Sequence, residues 1–198
     1  MPSLATAGRT FTRANPALYR AGMTHAPTVT VRRATREDLP AIAEIAAHYV
    51  LHTVTTFQTE PLTLAGWEER WESLRAAGRP FLVVTVAEGP GLPDDVAGFA
   101  YVGAWRERPA YASTGEDTIY LAPGSEGRGL GRALLSRLLD EAREAGVREV
   151  VAVVSDAESP ASVVLHEKLG FRQVGRLERV GFKHGRWLDT VLLQRSLG

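Results

Sequence analysis

Hydrophobic positions fall into short regular runs along the chain from Val29 onward. Apolar or alternating runs predict strands, and apolar positions three and four residues apart predict helices. Predicted strands cover residues 29–33, 81–86, 96–105, 118–121, 150–154, 171–182 and 187–194. Predicted helices include residues 42–49, 64–74, 130–145 and 159–169. The order β-α-α-β-β-β-α-β-α-β-β predicts an α/β fold with a mixed central sheet flanked by helices.

Polar residues mark where two of these helices begin. Residues 35–38 resemble a capping box with Asp in place of Glu or Gln, and Thr63 precedes the second helix. The run at 150–154 is continuously apolar, which is typical of a strand buried on both faces. The helix at 130–145 is strongly amphipathic, with apolar residues at 130, 134, 135, 138, 139 and 142.

Composition excludes several classes of site and partner. The 198 residues contain no cysteine, which rules out a disulfide framework, a thiolate zinc site and a cysteine nucleophile. Lys plus Arg is 23 and Asp plus Glu is 23, so the zero net charge gives no sign of a nucleic-acid partner. All apolar runs fall short of the ~20 residues that cross a membrane, so we expect no membrane partner.

The first 27 residues differ from the rest of the chain. They show no helical or strand period, contain three prolines, and precede the first acidic residue, Glu37. An acid-free leader with arginines can indicate an organelle transit peptide, and Met23 offers an alternative start. We predict that residues 1–27 form a disordered tail and that residues 28–198 form a single domain.

A glycine-rich turn between a predicted strand and the amphipathic helix is the most informative segment. Gly127, Gly129 and Gly131 allow the backbone to approach a ligand closely. The start of the helix leaves N–H groups unpaired and carries a partial positive charge. Together these features predict an anion site suited to a pyrophosphate.

The spacing of the glycines excludes the common nucleotide motifs. A P-loop needs Lys and Ser or Thr after its last glycine, whereas Arg132 and Ala133 follow Gly131. The G-x-G-x-x-G dinucleotide fingerprint does not match either, whether it is read from Gly127 or from Gly129. On spacing alone, a turn that merely shortens the connection remains an alternative.

The turn resembles the coenzyme A loop of the GNAT superfamily of N-acetyltransferases, which reads Gln/Arg-x-x-Gly-x-Gly/Ala. Gly129 and Gly131 match its glycines, and Glu126 departs from its first position. Residues 29–196 also resemble the phosphinothricin acetyltransferase family in four ordered blocks. The blocks are HY at 48–49 with TFQTEP at 56–61, GAWRERPAY at 103–111 with EDTIY at 116–120, SVVLHEKLGF at 162–171, and GFKHGRWLD at 181–189.

The resemblance implies a GNAT-type fold and acetyl-CoA as co-substrate. It implies direct transfer of acetyl to the α-amine of an amino-acid-like substrate such as phosphinothricin, methionine sulfoximine or methionine sulfone. It further implies a homodimer, and we expect a cytoplasmic location. A protein N-terminal acetyltransferase and a non-catalytic coenzyme A-binding module are the alternatives.

The same resemblance assigns residues to the cofactor. The backbone of 127–132 would hold the pyrophosphate, and Leu121 would lie at a strand bulge that pairs with pantetheine. Ser159 stands where the family often has Asn, and Ser162 lies in the first turn of the predicted helix at 159–169. The complete set is Leu121, Gly127, Arg128, Gly129, Leu130, Gly131, Arg132, Ser159 and Ser162.

Two residues are expected to take part in the chemistry. An α-amino group is mostly protonated near neutrality, so a base must remove a proton before the amine attacks. Glu116 lies just before the predicted strand that leads to the turn, and the family's catalytic Glu aligns with it. His166 stands where many superfamily members have Tyr, and the resemblance implies that it donates to, or orients against, the sulfur or substrate. A helix histidine bonded to backbone is the alternative.

Substrate selection is expected from Arg108 and Tyr111 on the loop before Glu116, since a guanidinium binds carboxylate or phosphinate in a bidentate manner. The resemblance adds Phe57, Lys183 and Trp187, the last two on a hairpin turn that in this family can reach the partner subunit's site. Exposed or packing roles are the alternatives for each. His48 and His52 lie four apart, but no third ligand has convincing spacing, so no metal site is predicted.

Overall fold

The computed structural model describes residues 27–87, 95–156 and 160–198. Seven strands form one sheet in the order β1-β2-β3-β4-β5-β7-β6. The strands are β1 (Thr28–Arg33), β2 (Phe81–Ala87), β3 (Asp95–Ala104), β4 (Thr114–Leu121), β5 (Glu149–Ser155), β6 (Arg172–Lys183) and β7 (Arg186–Ser196). The helices are α1 (Leu39–His52), α2 (Leu64–Ala76), α3 (Leu130–Glu144) and α4 (Ala161–Lys168), with short 3-10 turns at Arg36–Asp38 and Pro109–Tyr111.

This order of elements confirms the predicted mixed α/β fold. Among the strands that the structure describes, only β4 and β5 pair in parallel, and the other neighbours pair antiparallel. The predicted tail lies outside the described residues except for Pro27, and so does the predicted turn at 88–95 except for Asp95. None of the helices in the described ranges is long and apolar enough to cross a membrane.

Two hydrophobic cores form on opposite faces of the sheet. The amphipathic stripe of α3 is buried as predicted and packs with α4 on the first face. Helices α1 and α2 cover the second face around Trp67, Phe81 and Phe99. The sheet therefore separates two helical layers, and each layer can present residues to a different face of β4.

The caps that the sequence predicts are present. Asp38 accepts hydrogen bonds from the backbone N–H of Thr35 at 2.8 Å and from its hydroxyl at 3.1 Å, which completes the capping box before α1. The Thr63 hydroxyl accepts the Gly66 N–H at 3.1 Å at the start of α2. These caps fix where the 3-10 turn that leads into α1 and the helix α2 begin.

Two predictions about the central strands need correction. Strand β4 begins at Thr114 rather than Thr118, so Glu116 lies within the strand, because β3 and β5 pair with this polar segment from both sides. Val153 is 41% exposed rather than buried, because β5 diverges from β4 before reaching it.

Candidate active site

Strands β4 and β5 separate after a short stretch of parallel pairing. They pair at three positions, ending at Glu116 opposite Val151, although β4 continues to Leu121 and β5 to Ser155. A cavity of about 770 Å³, here named the glycine-turn cleft, opens between the two strands, the residues around Gly127–Gly131, and α4. This opening gives an extended ligand access to the middle of the sheet.

The glycine turn opens α3 as predicted. Gly127 and Gly129 have φ angles of 75° and 79°, in the left-handed region that favours glycine, and a Cβ at either position would meet nothing within 4 Å. The Ala133 N–H donates to the Gly129 carbonyl at 3.1 Å. The N–H groups of residues 130–132 precede this bond and lie in the first turn, where helices bind anions.

The other residues of the turn divide between ligand-facing and structural positions. Arg132 lines the glycine-turn cleft, whereas Arg128 is exposed and does not line it. The Leu130 side chain is buried in the first core, so this residue can contribute only its backbone. Gly131 is packed tightly, since a Cβ there would lie 3.3 Å from Leu165 Cδ2.

Glu126 has a local role in the turn. Its Oε2 accepts the Gly124 N–H at 2.9 Å, so the carboxylate stabilises the turn backbone. Glu126 also lines the cleft and contributes, after burial, to raising the pKa of Tyr49 to about 12. Glu126, which departs from the family pattern, is thus held by a hydrogen bond within the turn itself.

Apolar side chains form the walls of the cleft near Leu121. The Tyr49 hydroxyl donates to the Leu121 carbonyl at 2.8 Å and ties α1 to the end of β4. The expected bulge at Leu121 is wrong, because β4 pairs with β3 in unbroken register from Gly98–Leu121 to Ala104–Gly115, and the opening comes from β5 instead. The apolar wall residues include Ile119, Leu121, Val153, Val154, Val164 and Leu165.

Glu116 points into a second cavity of about 510 Å³, here named the Glu116 cavity, between β3, β4 and α2. The two cavities share Thr118. Burial raises the pKa of the half-buried Glu116 above its usual value, the adjacent Asp117 raises it further, and Arg106 lowers it. A carboxylate of raised pKa beside a cavity is suited to general-base chemistry.

His166 is buried and bonded through both ring nitrogens. Its Nε2 lies 2.9 Å from Asp117 Oδ2, and its Nδ1 lies 2.6 Å from the Ser162 carbonyl oxygen. Burial alone lowers the pKa of His166, but the hydrogen bond and charge of Asp117 and the Ser162 carbonyl outweigh it, so the pKa is raised. Because both partners accept, the ring donates twice and clamps α4 to β4.

The predicted substrate residues lie outside both cavities. Arg108 and Tyr111 are exposed around the Pro109–Tyr111 turn. Phe57 is 41% exposed and covers Gly181, where a Cβ would approach Phe57 Cε2 to 2.5 Å. Their roles in substrate binding stay predictions.

The two predicted substrate residues on the β6–β7 hairpin, Lys183 and Trp187, differ in their exposure. Lys183 is 5% exposed, and its Nζ donates to the Thr56 carbonyl of the same chain at 2.9 Å. Trp187 is 57% exposed and contacts Phe182 and Arg179. Lys183 therefore fixes the hairpin to the loop before α2, and Trp187 faces outward.

Two remaining predictions concern Ser159 and metal binding. Ser159 lies outside the described residues. The rings of His48 and His52 are 5.3 Å apart, and no group of three or more potential metal-ligating side chains occurs within residues 27–87, 95–156 and 160–198.

A helix start with open glycines, leading into an apolar cleft, fits a ligand with a pyrophosphate at one end and an aliphatic arm. The family model of the acetyltransferase (GNAT) family matches residues 42–171. The chain belongs to the GNAT family. Its co-substrate is acetyl-CoA, which carries a pyrophosphate and, at the end of an aliphatic arm, a thioester.

Relatives within the GNAT family share most of the chain. It is 42% identical over 168 residues to phosphinothricin N-acetyltransferase of Alcaligenes faecalis, covering 85% of this chain and 82% of that protein. It is 38% identical to the L-methionine sulfoximine/L-methionine sulfone acetyltransferase of Salmonella typhimurium, covering 85% and 95%. A GNAT superfamily phosphinothricin acetyltransferase from Sinorhizobium meliloti, solved in complex with AcCoA, is 41% identical with a TM-score of 0.80, covering 86% and 89%.

Sequence reasoning missed several residues that line the two cavities of this GNAT domain. Asp117 stands in the block EDTIY at 116–120, and the alternation of side chains along a strand places it on the face opposite Glu116. Tyr49 lies within a recognised block, but its hydroxyl contact spans 72 positions of sequence. Arg70 and Tyr101 lie in the Glu116 cavity, and no local motif marks them.

Proposed function

We propose that this GNAT enzyme transfers acetyl from acetyl-CoA to the α-amine of a small amino-acid-like acceptor. The acceptor belongs to the class of phosphinothricin, methionine sulfoximine and methionine sulfone, which are the substrates in the names of its relatives. The observation that carries the proposal is the position of Glu116, on the strand that separates the cleft from a small cavity. Thr118 borders both, so acceptor and thioester can meet there from opposite sides of β4.

Each part of the site has a distinct task in this proposal. The N–H groups of 127–132 and Arg132 hold the pyrophosphate, and the apolar wall between β4 and β5 holds the pantetheine arm. Ser162 contributes to the cleft wall and orients His166 through its carbonyl. Arg128 is exposed and outside the lining of the cleft, so in this proposal it supplies a peripheral charge near the phosphates.

Glu116 acts as the general base. It accepts a proton from the ammonium group, directly or through water, and the neutral nitrogen attacks the thioester carbonyl. A C–N bond forms and the C–S bond breaks. The nitrogen releases a second proton to solvent as it becomes an amide, and the sulfur leaves as a thiolate that takes up a proton in turn from solvent or a nearby donor. General-base assistance of this kind contributes roughly 10²–10⁴-fold.

His166 serves as a positioning residue in this proposal. Its side chain is 2% exposed, and both ring nitrogens are occupied by Asp117 and Ser162. A proton donor would have to leave one of these bonds during turnover. The favoured role is therefore to hold α4 against β4, so that the cleft keeps its width.

The proposal includes a homodimer formed along β6. This strand lies at the edge of the described sheet, and an edge with exposed apolar side chains favours pairing with a second copy. Exposed apolar residues there and on the neighbouring hairpin are Val174, Leu177, Val180, Phe182 and Trp187. Light scattering should give twice the mass of the chain, and replacing Leu177 with Asp should shift the mass toward one chain.

A cytoplasmic location also belongs to the proposal, because acetyl-CoA is consumed as a substrate. Thiol release from acetyl-CoA by the purified protein tests the function. The acceptor panel contains phosphinothricin, methionine sulfoximine, methionine sulfone, ordinary amino acids and peptides with free N-termini. Saturable release with one of the first three supports the proposal. Release only with peptides favours an N-terminal acetyltransferase, and acetyl-CoA binding without release favours a coenzyme A-binding module.

A further inference from the structure

The Glu116 cavity contains a guanidinium as well as a carboxylate. Among the described residues that line it, Arg70 is the one cation, and it projects from α2. Glu116 occupies the sheet wall of the same cavity, and the exposed Glu69 lies beside Arg70. An amino-acid acceptor carries an ammonium group and at least one acidic group. The cavity offers the Glu116 carboxylate to the ammonium group and the Arg70 guanidinium to the acidic group.

Aromatic side chains hold Arg70 in place. Its Nη1 donates to the Tyr101 hydroxyl at 2.8 Å. The guanidinium carbon lies 5.4 Å from the Trp67 ring centroid and 5.6 Å from that of Tyr101, within cation–π range. These contacts fix the guanidinium without neutralising its charge.

Arg70 has no carboxylate partner within 4.0 Å among the residues that the structure describes. A guanidinium carries five N–H donors, and one hydrogen bond to Tyr101 leaves several for a ligand. The planar fork matches the two oxygens of a carboxylate or phosphinate. The exposed Arg108, by contrast, does not line this cavity.

We infer that Arg70 binds an acidic group of the acceptor, a carboxylate or a phosphinate, and so selects acidic amino-acid-like amines. This inference rests on the proposed function, because it assigns the acceptor to the Glu116 cavity. Arg70 is a specificity residue here: it orients the acceptor so that the amine faces Glu116, and it takes no part in proton transfer.

The test compares Arg70→Met with Arg75→Met, a substitution on the same helix. Arg75 is exposed and stacks on Trp71 at 5.5 Å, outside the cavity, so the control also loses a cation–π contact. Initial rates are measured with phosphinothricin, methionine sulfone and the amide of methionine sulfone. These acceptors carry a carboxylate plus a phosphinate, a carboxylate alone, and no acid, respectively.

Arg70→Met should raise KM for the acidic acceptor by about 10- to 100-fold, with KM for acetyl-CoA unchanged, and Arg75→Met should change neither. A rise confined to phosphinothricin identifies the phosphinate as the bound group. A rise for both acids but not the amide identifies the α-carboxylate. Arg70→Lys, which keeps the charge but loses the fork, should give an intermediate KM.

An unchanged KM for every acceptor, or an equal rise for acids, amide and acetyl-CoA, would overturn the inference. If the wild-type protein releases no thiol with any acceptor, the proposed function fails instead. Calorimetric binding of phosphinothricin then decides the role of Arg70. Binding to the wild type that Arg70→Met abolishes supports the inference, and absence of binding to the wild type refutes it.

Discussion

The Nε2 atom of His166 lies 2.9 Å from Asp117 Oδ2, and both side chains are 2% exposed. This contact joins α4 to the strand that carries Glu116, at the back of the cleft. Breaking a buried ion pair by removing one partner costs about 3–5 kcal/mol, because the other charge stays buried. We expect Asp117→Asn to lower the free energy of unfolding by that amount in urea at pH 6, below the ordinary pKa of histidine, where the His166 ring is charged.

Asp140→Asn is the matched control for this substitution. Asp140 is exposed on α3 and has no ion pair among those the structure describes, so its loss should stay within about 0.5 kcal/mol. Equal, small losses for both variants would show that the buried pair contributes nothing to stability.

The same contact predicts a dependence of stability on pH. The folded-state pKa of His166 is raised, because Asp117 and the Ser162 carbonyl outweigh burial. The stabilisation is therefore fully present below the ordinary pKa of about 6.5 and is lost as pH rises through the raised value. An NMR titration should find the His166 ring still charged above pH 6.5 in the wild type. A ring that is neutral at pH 6.5 would contradict this assignment.

Replacing Glu116 with Gln should lower kcat by about 10²–10⁴-fold at neutral pH and leave KM for acetyl-CoA unchanged. Burial raises the pKa of Glu116, with a further contribution from Asp117, so the wild-type rate should fall with decreasing pH at a point above the usual 4.5. The pH–rate profile of Glu116→Gln should not show this fall in rate at low pH. Glu107→Gln, on the exposed loop, is the control. Wild-type turnover in Glu116→Gln would remove Glu116 from the mechanism.

Gly129→Ala should weaken acetyl-CoA binding without unfolding the protein. Gly129 has φ 79°, in the left-handed region, where an alanine costs roughly 1–2 kcal/mol of conformational free energy. Because the backbone relieves this strain by moving, we expect the N–H groups at the start of α3 to shift. Gly78, after α2, has φ 67° and equally open surroundings. Gly78→Ala should lose similar stability with KM for acetyl-CoA unchanged, whereas Gly129→Ala should raise that KM several-fold. An equal KM for both variants would argue against the turn as the pyrophosphate site.

Tyr49→Phe tests the tie between α1 and the end of β4. Burial raises the pKa of Tyr49 to about 12, so the hydroxyl remains protonated and donates to the Leu121 carbonyl across the physiological range. Losing this hydrogen bond should lower the free energy of unfolding by about 0.5–1.5 kcal/mol, as measured in urea. Tyr111→Phe, whose ring is 40% exposed, should cost less. The reverse order would show that the Tyr49 bond is not stabilising.

Local periodicity was enough to predict the order of the elements. The apolar stripe of α3, the cap at Thr63 and the glycines of the turn are each set by neighbours within a few residues. The start of β4 could not be found in this way. Its polar residues 114–117 become a strand because β3 and β5 flank them, and periodicity does not report pairing between distant segments.

Contacts between distant segments also explain what was missed at the site. Lys183 was expected at a hairpin turn near a partner subunit, but it donates to Thr56, 127 positions away in the same chain. The pair of His166 and Asp117 spans 49 positions. Arg70 meets Tyr101 across 31 positions, and its helix carries a second arginine, Arg75, that looks the same in sequence. Which of these side chains faces a cavity is decided by tertiary packing.

This chain places acetyl on the α-amine of a small amino-acid-like compound, and we propose that Glu116 is the base. The most direct measurement incubates wild type and Glu116→Gln with ¹³C-acetyl-labelled acetyl-CoA and phosphinothricin, methionine sulfoximine or methionine sulfone, and analyses the products by mass spectrometry. We predict a labelled N-acetyl product with the wild type and a loss of at least about 100-fold with Glu116→Gln. Acetyl-CoA that binds but yields no labelled amine, or equal product from both proteins, would contradict the account.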